Sequence, residues 1–134
     1  MIQKEITLSF YSRGFHNIDH EIESYLEDLP QTGMINIFIK HTSAGILINE
    51  GADPSVLTDF NSYFDRLVKE NEPYFTHIYE GPDDMPAHIK TALTQTSINI
   101  PITNGKLNLG TWQSLYLCEF RNDGGRRKLV LTIW

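Results

Sequence analysis

From residue 4 to residue 12 the chain reads KEITLSFYS, which puts Ile6, Leu8 and Phe10 on one face with the two-residue period of a half-buried strand. The period then lengthens. In NIDHEIESYLEDL, residues 17–29, Ile18, Ile22, Tyr25, Leu26 and Leu29 form a helical stripe, with Asn17 or Asp19 as cap and Pro30 and Gly33 as stop. MINIFIKH (34–41) is rich in β-branched residues and predicts a strand, and GILIN (45–49) predicts another after a kink or bulge at 43–45. Asp53-Pro54 supplies a side-chain acceptor and a proline for the first helical position. The helix it opens runs to about Lys69, with Val56, Leu57, Phe60, Phe64, Leu67 and Val68 on its buried face.

A polar stretch follows from Glu70 to Asp84, containing His77 and Gly81-Pro82, after which Pro86 opens a short helix to about Thr94. SINIPI, TWQSLYLCEFR and RKLVLTIW predict three more strands, joined by turns at Asn104-Gly105 and Asp123-Gly124-Gly125. About six strands and three helices define an α+β class, expected as a single domain over 1–134 with a mostly antiparallel sheet. At 134 residues the chain can bury one genuine core without staples.

Charge narrows the partners. The net charge of −6 argues against a nucleic-acid or anionic-membrane surface, although an acidic protein can still hold an anion in a local basic pocket. The one cysteine, Cys118, precludes an internal disulfide and fits a reducing compartment. No run reaches the roughly 18 apolar residues of a membrane span, and MIQKEITLSF lacks a signal-peptide pattern, so the expectation is a cytoplasmic protein.

Polar chemistry concentrates in three places. HTSAG (41–45) combines an imidazole with Thr42 and Ser43, whose hydroxyls and amides can receive an anion; the plainer alternative is a histidine that closes a strand end. Alternation puts Glu50 on the Ile46/Ile48 face, where a carboxylate needs a partner, either a structural ion pair or a functional cation. In EGPDDMPAHI (80–89), Asp84 and His88 are four apart and share a helix face; capping accounts for one aspartate of the Asp83-Asp84 pair but not both. A carboxylate with an imidazole suits a divalent ion that also meets a phosphate.

The strand from Gly110 to Arg121 divides its apolar residues between two faces. Gln113 lies near the start of the face that carries Glu119 and Arg121, Trp112 is expected in the core, and Cys118 is expected to pack without reacting. In GGRRK (124–128), Arg126 and Arg127 offer guanidinium forks suited to phosphate, or else form a solvated hairpin tip. If these segments meet, they build a pocket for a small anionic molecule.

SRGF (12–15), HTSA (41–44), NE followed by DP (49–54), GPDDMPAHIK (81–90), and GTWQ (110–113) with CEFR after it resemble the YjbQ family, in order and over nearly the whole chain. The family is described as secondary thiamine-phosphate synthase and otherwise as of uncertain function. The resemblance implies a compact α+β domain, a homotrimer, and a weak transferase activity. That activity joins a pyrimidine methyl diphosphate to a thiazole phosphate and releases pyrophosphate. Under this reading His41, Glu50 and His88 are the catalytic candidates. His41, Asp84 and His88 are candidate ligands of a divalent metal ion, while Thr42, Ser43, Gln113 and Arg126 are candidates for binding the phosphorylated substrate. A non-catalytic binding module for a phosphorylated metabolite or a metal at the same pocket is the competing expectation.

Overall fold

The computed structural model describes residues 1–134 as eight strands and three helices. The strands are β1 (Ile2–Phe10), β2 (Gly14–Asn17), β3 (Thr32–Ile39), β4 (Ala44–Glu50), β5 (Ser97–Thr103), β6 (Lys106–Leu107), β7 (Gln113–Glu119) and β8 (Arg126–Ile133). The helices are α1 (Asp19–Glu23), α2 (Ser55–Leu67) and α3 (Asp84–Ala92). Every strand pairing is antiparallel. One sheet has the order β1-β8-β3-β5-β6 and the other the order β2-β7-β4. The α+β reading therefore holds, as two sheets rather than one. The two strands that alternation did not disclose, β2 and β6, are four and two residues long, too short to establish a period.

The sheets face each other across the main core. Ile35, Ile37 and Ile39 of β3, Ile98, Ile100 and Ile102 of β5, and Leu129 and Leu131 of β8 oppose Ala44 and Ile46 of β4 and Leu115 and Leu117 of β7. β7 is buried on both faces. Its Leu115 and Leu117 enter the main core, while Cys118, with Phe120 just past the strand end, packs on the other side with Phe15, Ala87 and the half-buried Leu57, Phe60 and Phe64. Phe15 anchors this second cluster, its ring centroid 5.3 Å from Phe64 and 5.9 Å from Phe120. Burial pushes the Cys118 thiol pKa well up, in keeping with a packing role. No helix is long and apolar enough to cross a membrane.

Several local expectations change. α1 stops at Glu23: the Ser24 hydroxyl bonds the Glu21 carbonyl at 2.6 Å, and the backbone turns left-handed at Asp28. Tyr25, Leu26 and Leu29 still pack on the core from irregular backbone, so their apolar spacing fitted a helix without requiring one. Ile18 stands at the N-cap position; Asn17 before it accepts from the Asp19 N–H at 2.9 Å, whereas Asp19 accepts from the Leu115 N–H at 2.8 Å and ties α1 to β7. Phe10 leaves the Ile6/Leu8 face because the β1–β8 register shifts between Thr7 and Phe10. Trp112, expected in the core, is 65 % exposed because it precedes β7 in a turn, and Leu67 at the end of α2 is exposed as well. Asp53 does open α2, its carboxylate accepting from the Ser55 N–H at 3.0 Å.

Candidate functional site

The Asp83-Asp84 pair lies where the long irregular segment before α3 becomes helical. Gly81 takes a φ of 102°, a conformation that glycine supplies without strain, and turns the chain into the helix. Neither aspartate makes a capping hydrogen bond at the helix start; both are taken up by Arg121, which follows β7. Arg121 Nε donates to Asp83 Oδ2 at 2.9 Å, and Nη1 donates to Asp84 Oδ1 at 2.6 Å. Its Nη2 reaches the Glu80 carbonyl at 2.9 Å. Asp83 Oδ2 also accepts from the Asn122 N–H at 2.9 Å. This fork holds two buried carboxylates side by side without leaving their charge uncompensated.

With Oδ1 committed to Arg121, Asp84 turns Oδ2 toward two imidazoles. His77 Nε2 lies 2.6 Å from it and His88 Nε2 lies 3.2 Å from it. The two ring nitrogens and the carboxylate oxygen all lie within 4.8 Å of one another. His88 Nδ1 lies 2.9 Å from the Thr42 carbonyl, an acceptor, so Nδ1 carries a proton and Nε2 is the ring nitrogen turned to the cluster. At 3.2 Å from Asp84 Oδ2, the His88 Nε2 atom can share either a proton or a metal cation with that oxygen. Burial alone raises the Asp84 pKa, but the His77 hydrogen bond, the Arg121 charge and His88 outweigh it and hold the carboxyl below its ordinary range. The chemistry of this donor set fits a divalent ion: two nitrogens and one ionised oxygen converge, one imidazole fixed by a carbonyl and the carboxylate fixed by a guanidinium.

Behind the 41–43 loop lies a second buried network. Arg127 meets Glu119 through a two-pronged contact, Nε to Oε1 at 2.7 Å and Nη2 to Oε2 at 2.6 Å, and Nη2 also donates to Ser43 Oγ at 3.0 Å. Both ion-pair partners are buried. Gly124 is required here, because a Cβ on it would stand 2.3 Å from Glu119 Oε1. His41 Nε2 accepts from the Lys128 N–H at 2.8 Å, next to the Lys40 N–H that donates to the Lys128 carbonyl. The imidazole thus extends the β3–β8 ladder by one acceptor. Burial, followed by the neighbouring Arg127 charge, lowers the His41 pKa and favours the neutral ring.

Thr42, Asp84 and His88 come together as the sequence anticipated, and Ser43 joins the adjoining network. The expectation that His41 ligates a metal is corrected: its Nε2 is occupied by the Lys128 amide and it stands outside the His77–Asp84–His88 cluster. Arg126, expected to bind phosphate, lies on β8 with its Nε donating to the Leu8 carbonyl at 2.9 Å, which braces β1. Glu50 has no ion-pair partner. Its Oε2 accepts from the Ala52 N–H at 2.6 Å, closing the loop after β4. Gln113 likewise closes a local turn, accepting from the Gly110 N–H at 2.8 Å. Glu50 and Gln113 are paired in register at one end of β4 and β7, and Ala44 and Glu119 at the other. Six residue steps of strand, about 20 Å, separate those two ends, so Glu50 and Gln113 are remote from the cluster.

Sequence reading missed His77 as a member of the cluster and Arg121 as its organiser. His77 belongs to a segment without helix or strand, where no periodicity relates it to Asp84. For Arg121 one signal existed: two adjacent aspartates, of which a helix start can use only one, require a cation from elsewhere.

These features define a small two-sheet α+β protein with a buried-carboxylate, two-histidine cluster at a helix start. The family model described as UPF0047 protein YjbQ-like matches residues 4–134, and the chain belongs to that family. It is 43% identical over 133 residues to the UPF0047 protein YjbQ of Escherichia coli O157:H7, covering 98% of this chain and 96% of that protein. A UPF0047 protein of Synechocystis sp. is 41% identical over 132 residues, covering 98% and 90%. Among solved structures, a conserved hypothetical protein of Thermus thermophilus superposes with a TM-score of 0.82 at 31% identity, covering 100% of both chains. An uncharacterized YjbQ/UPF0047 family protein of Clostridium acetobutylicum gives 0.77 at 35% identity, again covering 100% of both.

Proposed function

We propose that the protein is a metal-dependent transferase of the thiamine-phosphate synthase kind, slow in turnover, with a divalent ion held by His77, Asp84 and His88. The observation that carries the metal site is the convergence of two imidazole Nε2 atoms and one buried carboxylate oxygen within 4.8 Å. Two imidazoles in the donor set favour zinc, or another first-row ion that accepts nitrogen, over magnesium. When bound, such an ion supplies Lewis-acid neutralisation of charge on phosphate oxygens. The Thr42 carbonyl fixes the His88 tautomer, and Arg121 keeps Asp84 ionised and aimed. In the expected reaction, the carbon–oxygen bond of the pyrimidine methyl diphosphate breaks with its electron pair leaving on pyrophosphate. The thiazole ring nitrogen then forms the new carbon–nitrogen bond.

One observation favours the alternative of a binding module that does not turn over. Four of the five arginines, Arg13, Arg121, Arg126 and Arg127, are engaged by protein acceptors, which leaves Arg66 of α2 as the one guanidinium without a protein acceptor to clamp a leaving diphosphate. The homotrimer implied by the family resemblance belongs to either reading, and sedimentation velocity tests it. The deciding experiment incubates zinc-loaded and chelated protein with both precursors and measures thiamine phosphate, alongside His77→Ala and His88→Ala. Metal-dependent product that disappears in both variants supports the transferase. Calorimetric binding of the precursors without product replaces it with the binding module, and product insensitive to both substitutions overturns the site.

A further inference from the structure

We propose that residues 71–80 form a strap that the metal ion latches shut through His77, so that filling the metal site governs how readily the strap opens. The inference rests on the metal site proposed above and adds a conformational consequence of its occupancy. The strap contains neither helix nor strand. Left-handed residues bound it, Asn71 with φ at 59° and Gly81 with φ at 102°. Its backbone makes one hydrogen bond of its own, from the Phe75 N–H to the Glu72 carbonyl at 3.0 Å. Two more join it to the rest of the protein: His77 Nε2 lies 2.6 Å from Asp84 Oδ2, and Arg121 Nη2 donates to the Glu80 carbonyl at 2.9 Å. None of its residues belongs to either hydrophobic core, and Tyr74, Ile78 and Tyr79 are exposed.

Fixing the backbone of one residue costs about as much as one hydrogen bond returns once water is counted, so these few bonds hold the strap weakly. The anchors are also uneven. Glu70, held by Arg13 Nη1 at 2.9 Å, fixes the chain just before the strap, and the Arg121 bond fixes only its last residue. His77 is the one side chain that ties the middle of the strap down, and it is half exposed, so its bond to Asp84 competes with water. Local opening is therefore frequent while that hydrogen bond is the only tie. An ion bound by His77, Asp84 and His88 replaces the tie with a metal–nitrogen bond, and opening must then break it. Phe75, His77 and Ile78 of the strap line a cavity of about 440 Å³ together with Pro82 and Met85. That cavity is complete only while the strap is closed.

Linkage makes the test quantitative: the factor by which zinc suppresses strap opening equals the factor by which His77 tightens zinc binding. Hydrogen exchange with mass spectrometry, comparing residues 74–80 in chelated and zinc-saturated protein, measures the first factor. Calorimetric zinc affinities of wild type and His77→Ala, which stands for the released strap, measure the second. Both should be about tenfold or more and agree within about threefold, while the turn at Asn104-Gly105 exchanges equally with and without zinc. In His77→Ala the strap should exchange as fast with zinc as without it. An unchanged strap in a wild type that holds zinc, when His77→Ala loses it, overturns the strap and leaves the metal site standing. Slowing that persists in His77→Ala or extends to the Asn104-Gly105 turn, or two factors that disagree, also overturns the strap. A protein that takes up no zinc brings down the metal site and the strap together.

Discussion

Replacing Arg121 with methionine isolates the interaction that organises the cluster. The substitution keeps length and apolar bulk but removes donors to Asp83 Oδ2, Asp84 Oδ1 and the Glu80 carbonyl. Breaking a buried ion pair ordinarily costs about 3–5 kcal/mol. Two features move Arg121→Met to the lower end. The guanidinium side chain is 24% exposed. Each aspartate also keeps another partner, Asp83 the Asn122 amide and Asp84 the two histidines. The expected loss is about 3 kcal/mol, or roughly 10 °C in Tm for a domain of this size. Urea denaturation in chelated buffer at pH 7 measures it. The pH dependence gives an independent check. Burial raises both carboxyl pKa values, but the Asn122 amide, Arg121 and the histidines outweigh it, so Asp83 and Asp84 are both lowered from 3.8. Their contribution is therefore fully present above that value and is lost as pH falls through the lowered ones. The gap between wild type and Arg121→Met should stay constant near neutrality and close below about pH 4. A loss under about 1 kcal/mol, with no closing of the gap in acid, would refute the argument.

The other predictions concern the network under the 41–43 loop. Glu119→Ala leaves the buried Arg127 unpaired and should cost about 3–5 kcal/mol by urea denaturation, whereas Glu119→Met combined with Arg127→Leu should cost less than the single change. Gly124→Ala forces a Cβ against the Glu119 carboxylate and should destabilise by about 1–3 kcal/mol; a neutral result would mean that the turn yields freely. His41, whose pKa is lowered, favours the folded state when neutral, so its contribution is present above about pH 6.5 and lost as pH falls through its folded value. Thermal melts between pH 7.5 and 5 should show a decline that His41→Gln flattens, and identical slopes would contradict it.

The sheets were legible because β3, β5 and β8 alternate strictly, and a strand slipped by one residue would expose every isoleucine or leucine of the core face. β7 was legible for the opposite reason, as an apolar run buried on both sides. The candidate site was legible only where helical spacing relates its residues, as for Asp84 and His88. His77 reaches Asp84 from irregular backbone, and Arg121 reaches it from across the fold; neither relation leaves a period in sequence. Glu50 shows how alternation can mislead. It shares a face with Ile46 and Ile48, but at the strand end that face gives way to a loop, and the carboxylate satisfies an amide two residues on.

The central claim is that His77, Asp84 and His88 form one metal site. Equilibrium dialysis of the chelator-stripped protein against micromolar zinc, followed by elemental analysis, measures it most directly. The expected result is one zinc per chain in the wild type and in His41→Ala, and less than about a tenth of that in His77→Ala and His88→Ala. Substoichiometric zinc in the wild type, or full retention after either of the last two substitutions, would contradict the account.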